Sequence, residues 1–375
     1  MIQRKIKTGE QLLPIRFKQF IYFHFAKFGF FPRVNIYLQI IKKTNLPQGL
    51  KSTLREMAFA GLSHQIDDFI NSYLSNGIIL VKKRQEMGDI EPIVICAVRN
   101  DLDRIKMQVE HHRKIGIKHF IYIDNMSTDG TFEWLENQKD ITLYRIESKF
   151  NASIKSAWWQ LAIQREGYGK WYLILDSDEL FAYPGMENMN IQKYIEFLKM
   201  KKISVITTPM IDMYSQNKLF EADICEDIKS RYCFFDTFYN QEYGYINWRI
   251  FGGPRFRVFN IDLQLTKHSL LRAEENIIVL PHKIFPFSRN VEKGAKAFLL
   301  HYKFLPGDMQ KFMEIIKEKT YHNGSGEYKI YMKYYKQNHN TFYYSGSQKL
   351  NNSMDLLKIN IVDKNFFEEY FSFLK

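Results

Sequence analysis

Apolar runs of strand length alternate with amphipathic stretches of helix length through the central part of the chain. The predicted strands and helices follow one another at residues 93–98, 102–114, 120–123, 131–137, 141–146, 152–166 and 171–175. Continuous apolar runs predict strands that are buried on both faces, and their alternation with helices predicts parallel pairing. The pattern therefore predicts an α/β fold, a right-handed, doubly wound and mostly parallel sheet with helices on both faces.

The chain on either side of this region follows other patterns. Residues 203–209 form one more apolar run, whereas residues 213–245 are polar and aromatic without a clear period. A long irregular stretch inside a compact domain is typical of a substrate loop or lid. Residues from 307 onward favour helix, most clearly at 308–319. We therefore expect three parts, a helical basic and aromatic segment at 1–90, a central α/β domain at 91–305 and a helical extension at 306–375.

The first 50 residues carry nine Lys and Arg side chains against one acid, Glu10. Aromatic side chains are interleaved with these charges at Phe17, Phe20, Phe23, Phe25, Phe28 and Phe31. A basic aromatic helix is typical of peripheral attachment to an anionic membrane. It is also typical of a helix that packs on the main domain and leaves a solvated basic face. Both alternatives stay open at this point.

Charge and cysteine content restrict the class of protein and its compartment. The 375 residues carry a formal net charge of +12, which favours anionic partners, and 45% hydrophobic residues, which allow a large core. We find no zinc-finger, RNA-recognition or basic-zipper pattern and expect no nucleic-acid partner. Three cysteines without metal spacing indicate a reducing compartment. Without a signal peptide or a spanning segment, we expect a cytoplasmic protein, with peripheral location at the inner membrane as an option.

The predicted strand at 171–175 ends abruptly in acidic residues. Asp176, Ser177, Asp178 and Glu179 follow it directly, at the carboxyl end of a strand, where open α/β sheets bind ligands. Clustered carboxylates repel one another, and a hard cation such as Mn²⁺ or Mg²⁺ relieves the repulsion and can bridge to a diphosphate. The alternative is an ordinary acidic loop in which Asp178 or Ser177 begins a helix as its N-cap.

Short motifs follow one another in a fixed order along the central domain. They are Val98-Arg99-Asn100-Asp101, Glu110-His111-His112, Asp124-Asn125-Met126-Ser127-Thr128-Asp129-Gly130 and Asp176-Ser177-Asp178-Glu179-Leu180. Two more lie farther along the chain, Gly252-Gly253-Pro254-Arg255-Phe256-Arg257 and His301-Tyr302-Lys303. In combination these motifs resemble the family 2-type glycosyltransferases, most closely the branch similar to family 92, over about residues 91–303.

The resemblance implies a GT-A fold that binds a nucleotide sugar through a DxD metal motif and transfers the sugar with inversion. Carried over to this chain, Asp176 and Asp178 would hold Mn²⁺ or Mg²⁺, and His301 would complete the metal shell. The branch closes with His-Tyr-Arg where this chain has Lys303, which leaves that basic position open. The donor would contact a larger set of residues, Ala97, Arg99, Asp101, Asp124, Asp129, Lys155, Asp176, Ser177, Arg255, Arg257 and His282.

Transfer from a nucleoside diphosphate requires neutralisation of the leaving group and a base for the acceptor hydroxyl. Basic side chains that could assist the leaving group are Arg255, Arg257 and Lys267. The two arginines also fit the solvated face of an alternating strand. For the base we favour Asp212, at the end of a predicted strand, and then Asp236 and Glu242 in the irregular segment.

Several candidates also have a purely structural interpretation. Asp129 lies two residues before Thr131 and favours a helix cap, which makes Asp124 the stronger ligand candidate of the two. His282 and His301 each fit a buried, hydrogen-bonded histidine as well as a site residue.

These expectations converge on a metal-dependent inverting glycosyltransferase of bacterial surface polysaccharide synthesis, either capsule or lipopolysaccharide. Its partners would be a nucleotide-sugar donor and a glycan or lipid-linked acceptor. The main alternative is a non-catalytic nucleotide- or glycan-binding protein on the same scaffold, and the intact Asp176-Ser177-Asp178 cluster argues against it. A phosphosugar nucleotidyltransferase would require a glycine-rich first loop, which residues 98–101 lack.

Overall fold

The computed structural model describes residues 32–85, 88, 91–148, 150–219, 227–243, 248–286, 294–318, 322–336 and 341–375. The aromatic and basic cluster at 17–31, on which the membrane-attachment hypothesis depends, lies outside the described residues. Within them, no helix combines the length and the apolar character that crossing a bilayer requires.

The described α-helices are numbered in chain order. They are α1 (Pro32–Lys43), α2 (Gln48–Phe59), α3 (Ser63–Ser75), α4 (Leu102–Lys114), α5 (Thr131–Glu136), α6 (Ala152–Glu166), α7 (Ile191–Met200), α8 (Ile228–Arg231), α9 (Gly253–Phe259), α10 (Asp308–Glu318), α11 (His322–Lys336) and α12 (Lys364–Phe373). A 3₁₀ helix also forms at Ser353–Lys358. The helix expected at 308–319 is thereby confirmed.

The described strands are numbered in the same way. They are β1 (Ile79–Lys82), β2 (Ile93–Val98), β3 (Phe120–Asp124), β4 (Ile141–Arg145), β5 (Trp171–Leu175), β6 (Glu179–Ala182), β7 (Met210–Asp212), β8 (Phe234–Phe235), β9 (Tyr239–Tyr243), β10 (Trp248–Gly252), β11 (Leu270–Arg272), β12 (Ile278–Leu280), β13 (Lys283–Phe285), β14 (Phe298–His301) and β15 (Gln348–Lys349). The four strands predicted between residues 93 and 175 are all present.

A six-stranded sheet with the order β1-β4-β3-β2-β5-β11 forms the centre of the molecule. The inner strands β4, β3, β2 and β5 pair in parallel, whereas the edge strands β1 and β11 pair antiparallel to their neighbours. The chain is therefore a mixed α/β protein with a mostly parallel central sheet, as the alternating pattern predicts.

Successive residues of the inner strands face opposite cores, because side chains alternate along a strand. Val94 and Cys96 lie in a core that also contains residues of α4 and α7. Ile93 and Ile95 lie in a second core, with residues of α2, α3 and α6. Burial on both faces explains why these strands are continuous apolar runs. Helices α2 and α3, from the segment that we predict at 1–90, thus share a core with the central sheet.

A smaller sheet, β6-β14-β7, lies beyond the carboxyl end of β5. Strand β14 pairs antiparallel to β6 and parallel to β7. The register places His301 of β14 opposite Glu179 on one side and opposite Asp212 on the other. This small sheet therefore brings together ionisable residues that are far apart in the sequence.

Two segments differ from an interpretation that the sequence allows. Residues 203–209 do not form a regular strand, because their backbone hydrogen bonds to the 265–272 segment are irregular and only Val205 makes a bridge. The arginine-containing motif at 252–257 is a helix, α9, and not an alternating strand. Gly252 and Gly253 adopt positive φ values of 121° and 68° and turn the chain from β10 into this helix, with Pro254 in its first turn.

Helix α6, which supplies one side chain of the site, begins at a side-chain cap. The Asn151 side chain accepts a hydrogen bond from the Ile154 amide at 2.8 Å and donates one to Asp68 of α3 at 3.1 Å. We expect Asn151→Ala to lower the free energy of unfolding by about 1 to 2 kcal/mol, because both interactions are lost. Urea denaturation measures this change. Asn71, exposed within α3, provides the control, and a loss in Asn71→Ala as large as in Asn151→Ala would contradict the capping role.

Candidate functional site

The acidic cluster lies where the central sheet meets the small sheet. Strand β5 ends at Leu175, and the chain passes through Asp176, Ser177 and Asp178 before β6 begins at Glu179. The side chains of Asp176 and Asp178 retain 27% and 22% of their exposure. The cluster is therefore partly open to a ligand at the carboxyl edge of a parallel sheet, where the topology favours binding.

Asp176 is held between two lysines. Its Oδ1 accepts a hydrogen bond from Lys155 Nζ and its Oδ2 accepts one from Lys267 Nζ, both at 2.6 Å. Lys267 also forms an ion pair with buried Glu179 at 2.5 Å. Burial opposes ionisation of Asp176, but the two ammonium groups outweigh it and hold its pKa below the ordinary value. Asp176 is thus an anion that holds two lysine ammonium groups at the edge of the site.

Asp178 begins a linear relay of charged groups. Its Oδ2 lies 3.2 Å from His301 Nε2, and His301 Nδ1 lies 2.6 Å from Asp212 Oδ1. The other oxygen of Asp212 accepts a hydrogen bond from Arg255 Nε at 2.8 Å. Burial alone would raise the pKa of Asp212, but Arg255 and His301 lower it to about 2. A carboxylate behind a histidine fixes the orientation of the ring and leaves its other nitrogen directed at the site.

The predicted trio of metal ligands is not assembled among the described residues, where no three His, Cys, Asp or Glu side chains converge as a metal-binding group. The physical reason is that both oxygens of Asp176 are occupied by lysines. Asp178 and His301 nevertheless fit a cation. Their 3.2 Å separation is close to the value of about 3 Å that two adjacent ligands have in an octahedral shell with bonds of about 2.1 Å.

The backbone beneath the acidic cluster is fixed by Gln108 of α4. Its Nε2 donates to the carbonyl oxygens of Asp176 and Glu179, at 2.7 and 3.0 Å. Its Oε1 accepts a hydrogen bond from the buried Tyr122 hydroxyl at 2.8 Å. These bonds hold the turn between β5 and β6 in one conformation. No sequence signal distinguishes Gln108 from an ordinary polar residue of a helix, so sequence reasoning misses it.

Arg104, also on α4 and also missed from sequence, connects the first loop to the closing motif. Its guanidinium donates to Asp101 Oδ1 and Asp308 Oδ1, each at 3.0 Å, and to the Tyr302 carbonyl oxygen at 2.8 Å. Asp101 in turn accepts a hydrogen bond from the Ser177 hydroxyl. Asp101 and Ser177, both predicted to contact the donor, are therefore held together at the site.

The three residues predicted as general bases all have charged partners. Asp212 is paired as described above. Asp236 accepts hydrogen bonds from Arg257 at 3.0 and 3.1 Å and from the Tyr214 hydroxyl at 2.5 Å. Glu242 is exposed on β9 and pairs with Arg249 at 3.1 Å. The guanidinium groups of Arg255 and Arg257 pair with Asp212 and Asp236. The two arginines therefore do not form a solvated strand face.

The remaining nucleotide candidates occupy varied environments. Ala97 is half-buried in β2 and Arg99 is exposed after it. Asp124 is buried at the end of β3, where Oδ2 accepts from the Ser127 amide at 3.1 Å and Oδ1 has no hydrogen-bond partner among the residues that the structure describes. Asp129 accepts from the amides of Thr131 at 3.0 Å and of Leu102, the first residue of α4, at 3.2 Å. Asp129 therefore forms an Asx-turn with Thr131 at the start of α5, whose N-cap position is Gly130.

His282 lies at the edge of this region. Its Nδ1 is 3.1 Å from the Thr266 carbonyl oxygen, next to Lys267. Burial lowers the pKa of His282 to about 3, so the ring is neutral in the physiological range. His282 therefore lies beside Lys267 and interacts electrostatically with Lys267 and with Asp176 of the acidic cluster.

Comparison with known proteins finds only weak similarity, and only to solved structures. No family model matches the chain, and no curated protein matches it. Among solved structures, a mannosyltransferase from Pyrobaculum calidifontis in complex with GDP-Man and Mn²⁺ is 16% identical, with a TM-score of 0.24, over 42% of this chain and 46% of that one. HddC from Yersinia pseudotuberculosis is 8% identical, with a TM-score of 0.26, over 49% of this chain and 74% of that one. Because these identities and TM-scores are low, only the geometry of the site can support a functional proposal.

Proposed function

We propose that this protein is a metal-dependent inverting glycosyltransferase with a GT-A-like fold. It moves a sugar from a nucleotide-sugar donor to a glycan or lipid-linked acceptor in bacterial surface polysaccharide synthesis, at the cytoplasmic side of the inner membrane. The observation that carries the proposal is the Asp178–His301–Asp212 relay beside the lysine-held Asp176, at the carboxyl edge of a parallel sheet.

We assign the individual side chains roles that differ in part from those expected from sequence. Asp178 and His301 are the residues that would hold Mn²⁺ or Mg²⁺, and Asp212 orients His301. Such a cation would supply charge neutralisation for a departing diphosphate. Asp176 takes no part as a direct ligand, because it positions Lys155 and Lys267, whose ammonium groups add positive potential beside the same phosphates.

A non-catalytic nucleotide- or glycan-binding protein on this scaffold is the alternative function. Such a binding protein would need a cleft with a positive potential. It would not need Asp212 to orient His301 behind the proposed metal-binding pair of Asp178 and His301. Asp212 is buried and lies between His301 and Arg255. Burying such a relay is costly, which favours a role that depends on the exact orientation of the histidine.

The experiment that tests the proposal is calorimetry of the purified chain with UDP, GDP and CMP, each with Mn²⁺ and then with EDTA. We expect one of the three nucleotides to bind, and its affinity to fall by at least about tenfold in EDTA, since the cation links the protein to the phosphates. Binding that is equal in Mn²⁺ and EDTA would contradict the metal role. Absence of binding for all three, with donor sugars also inert, would contradict the proposed function.

A further inference from the structure

The acceptor hydroxyl lacks a base if the three acids predicted from sequence are considered alone. Asp212 and Asp236 each contact an arginine and a second hydrogen-bonding side chain, at distances of 2.5 to 3.1 Å. A carboxylate that is fully engaged by a guanidinium group is a poor proton acceptor, because protonation removes the ion pair. Glu242 is exposed on β9 and pairs with Arg249. The base is therefore expected among the acids that surround the site from elsewhere in the chain.

Helix α11, in the C-terminal extension, packs over the closing motif of the site. Tyr328 and Tyr331 of this helix lie in a core with Phe304, which follows β14, and Phe259 of α9. The Tyr328 hydroxyl accepts a hydrogen bond from Lys303 Nζ at 3.0 Å. Lys303 is anchored next to the acidic cluster, because the neighbouring Tyr302 amide donates to the Asp178 carbonyl oxygen at 2.8 Å.

Glu327 of α11 is the acid that this packing brings to the site. It precedes Tyr328, and its Oε1 lies 3.9 Å from Lys303 Nζ, beyond hydrogen-bond length. Its side chain is 24% exposed, and among the described residues it makes no shorter polar contact. Glu327 thus lies beside Lys303 at the closing motif, and within the described part of the chain no guanidinium group or hydroxyl donates a hydrogen bond to its carboxylate.

We propose that Glu327 is the general base that accepts the proton of the acceptor hydroxyl, an inference that rests on the proposed function. In this step the O–H bond of the acceptor breaks and the proton passes to a Glu327 carboxylate oxygen. The acceptor oxygen forms a bond to the anomeric carbon of the donor. The bond from that carbon to the phosphate oxygen breaks, and the nucleoside diphosphate leaves with the electron pair. Lys303 keeps the Glu327 carboxylate at the site without blocking it.

The test uses the full-length chain with UDP-glucose, UDP-N-acetylglucosamine and GDP-mannose as donors, and water and free monosaccharides as acceptors. Released nucleoside diphosphate is measured. Glu327→Gln should slow donor consumption by about 10² to 10⁴-fold, the range for loss of a general base, while nucleotide binding and the melting temperature stay at the wild-type values. Glu327→Asp, which keeps a carboxylate, should retain more activity than Glu327→Gln.

Azide distinguishes a base from a structural partner of Lys303, because the azide anion attacks the anomeric carbon without losing a proton. Added azide should restore donor consumption in Glu327→Gln, with a glycosyl azide as the product. Glu314→Gln, on the exposed side of α10, is the control and should behave as the wild type.

Three results would overturn the inference, and they differ from a failure of the proposed function. They are wild-type donor consumption in Glu327→Gln, loss of nucleotide binding in that variant, and absence of azide rescue. If the wild-type chain itself consumes none of the donors, the proposed function fails, and the role of Glu327 fails with it.

Discussion

Asp178→Ala should reduce sugar transfer by at least about 10³-fold, the upper range for removal of one electrostatic stabiliser of the transition state. Asp178 forms an ion pair with His301, interacts electrostatically with Lys303 and Arg104, and has a side chain that is 22% exposed. Because the substitution removes a partly exposed side chain, the fold should persist. Metal-dependent nucleotide binding, measured by calorimetry, should disappear together with activity.

Two further variants make this prediction specific. Asp103→Ala removes an exposed acid from the first turn of α4 and should leave transfer and nucleotide binding unchanged. Asp212→Asn keeps the shape of the relay but weakens its hold on His301, and should cost about 10 to 100-fold, as outer-shell substitutions do. Activity in Asp178→Ala that equals the activity of Asp103→Ala would exclude Asp178 from the chemistry.

The position of the acidic cluster could be predicted from sequence because it depends on local pattern. The run 171–175 is apolar throughout and ends at once in Asp176, and both features are visible in ten consecutive residues. The alternation of strands and helices then determines which end of the sheet the cluster occupies. The place of Asp212 at the end of a strand was also predictable, although that strand begins at Met210 and not at 203.

The partners of these residues could not be predicted, because they are set by packing between distant segments. Lys267 meets Asp176 from 91 positions away, and Arg104 meets Asp308 from 204 positions away. The first contact depends on the register of β11, and the second depends on the docking of α10. Neither feature leaves a periodic pattern in the sequence. Occupation of both Asp176 oxygens by lysines is therefore invisible in the sequence, and this occupation is why the metal ligands that we propose do not include Asp176.

The helix at 253–259 is a case in which a local signal existed. A proline in the first turn, after two glycines that permit positive φ values, is typical of a helix start. The alternation of Arg255 and Arg257 also fits a strand, but both arginines lie on a helix that turns them towards different carboxylates. Their pairing with Asp212 and Asp236 is the reason that we propose a different acid as the base.

Lys267→Met should lower the free energy of unfolding by about 3 to 5 kcal/mol, the cost of breaking a buried ion pair by removing one partner. Lys267 is 6% exposed and pairs with Asp176 and with Glu179, which is 1% exposed. Burial raises the pKa of Glu179 even with the lysine present, so loss of the cation leaves a carboxylate that must be protonated or remain unpaired. Urea denaturation of the variant and the wild type measures the difference.

A double variant separates the ionic contribution from the loss of packing. Lys267→Met with Glu179→Gln removes both charges, and the amide can still accept the hydrogen bond that the Asp176 amide donates to Glu179 at 2.9 Å. The double variant should therefore be more stable than Lys267→Met alone, with a coupling free energy of about 0.5 to 3 kcal/mol. Lys118→Met, at an exposed lysine, should change stability by less than about 0.5 kcal/mol. If Lys267→Met were as mild as Lys118→Met, the lysines would not compensate the buried acids, and Asp176 would again be available as a metal ligand.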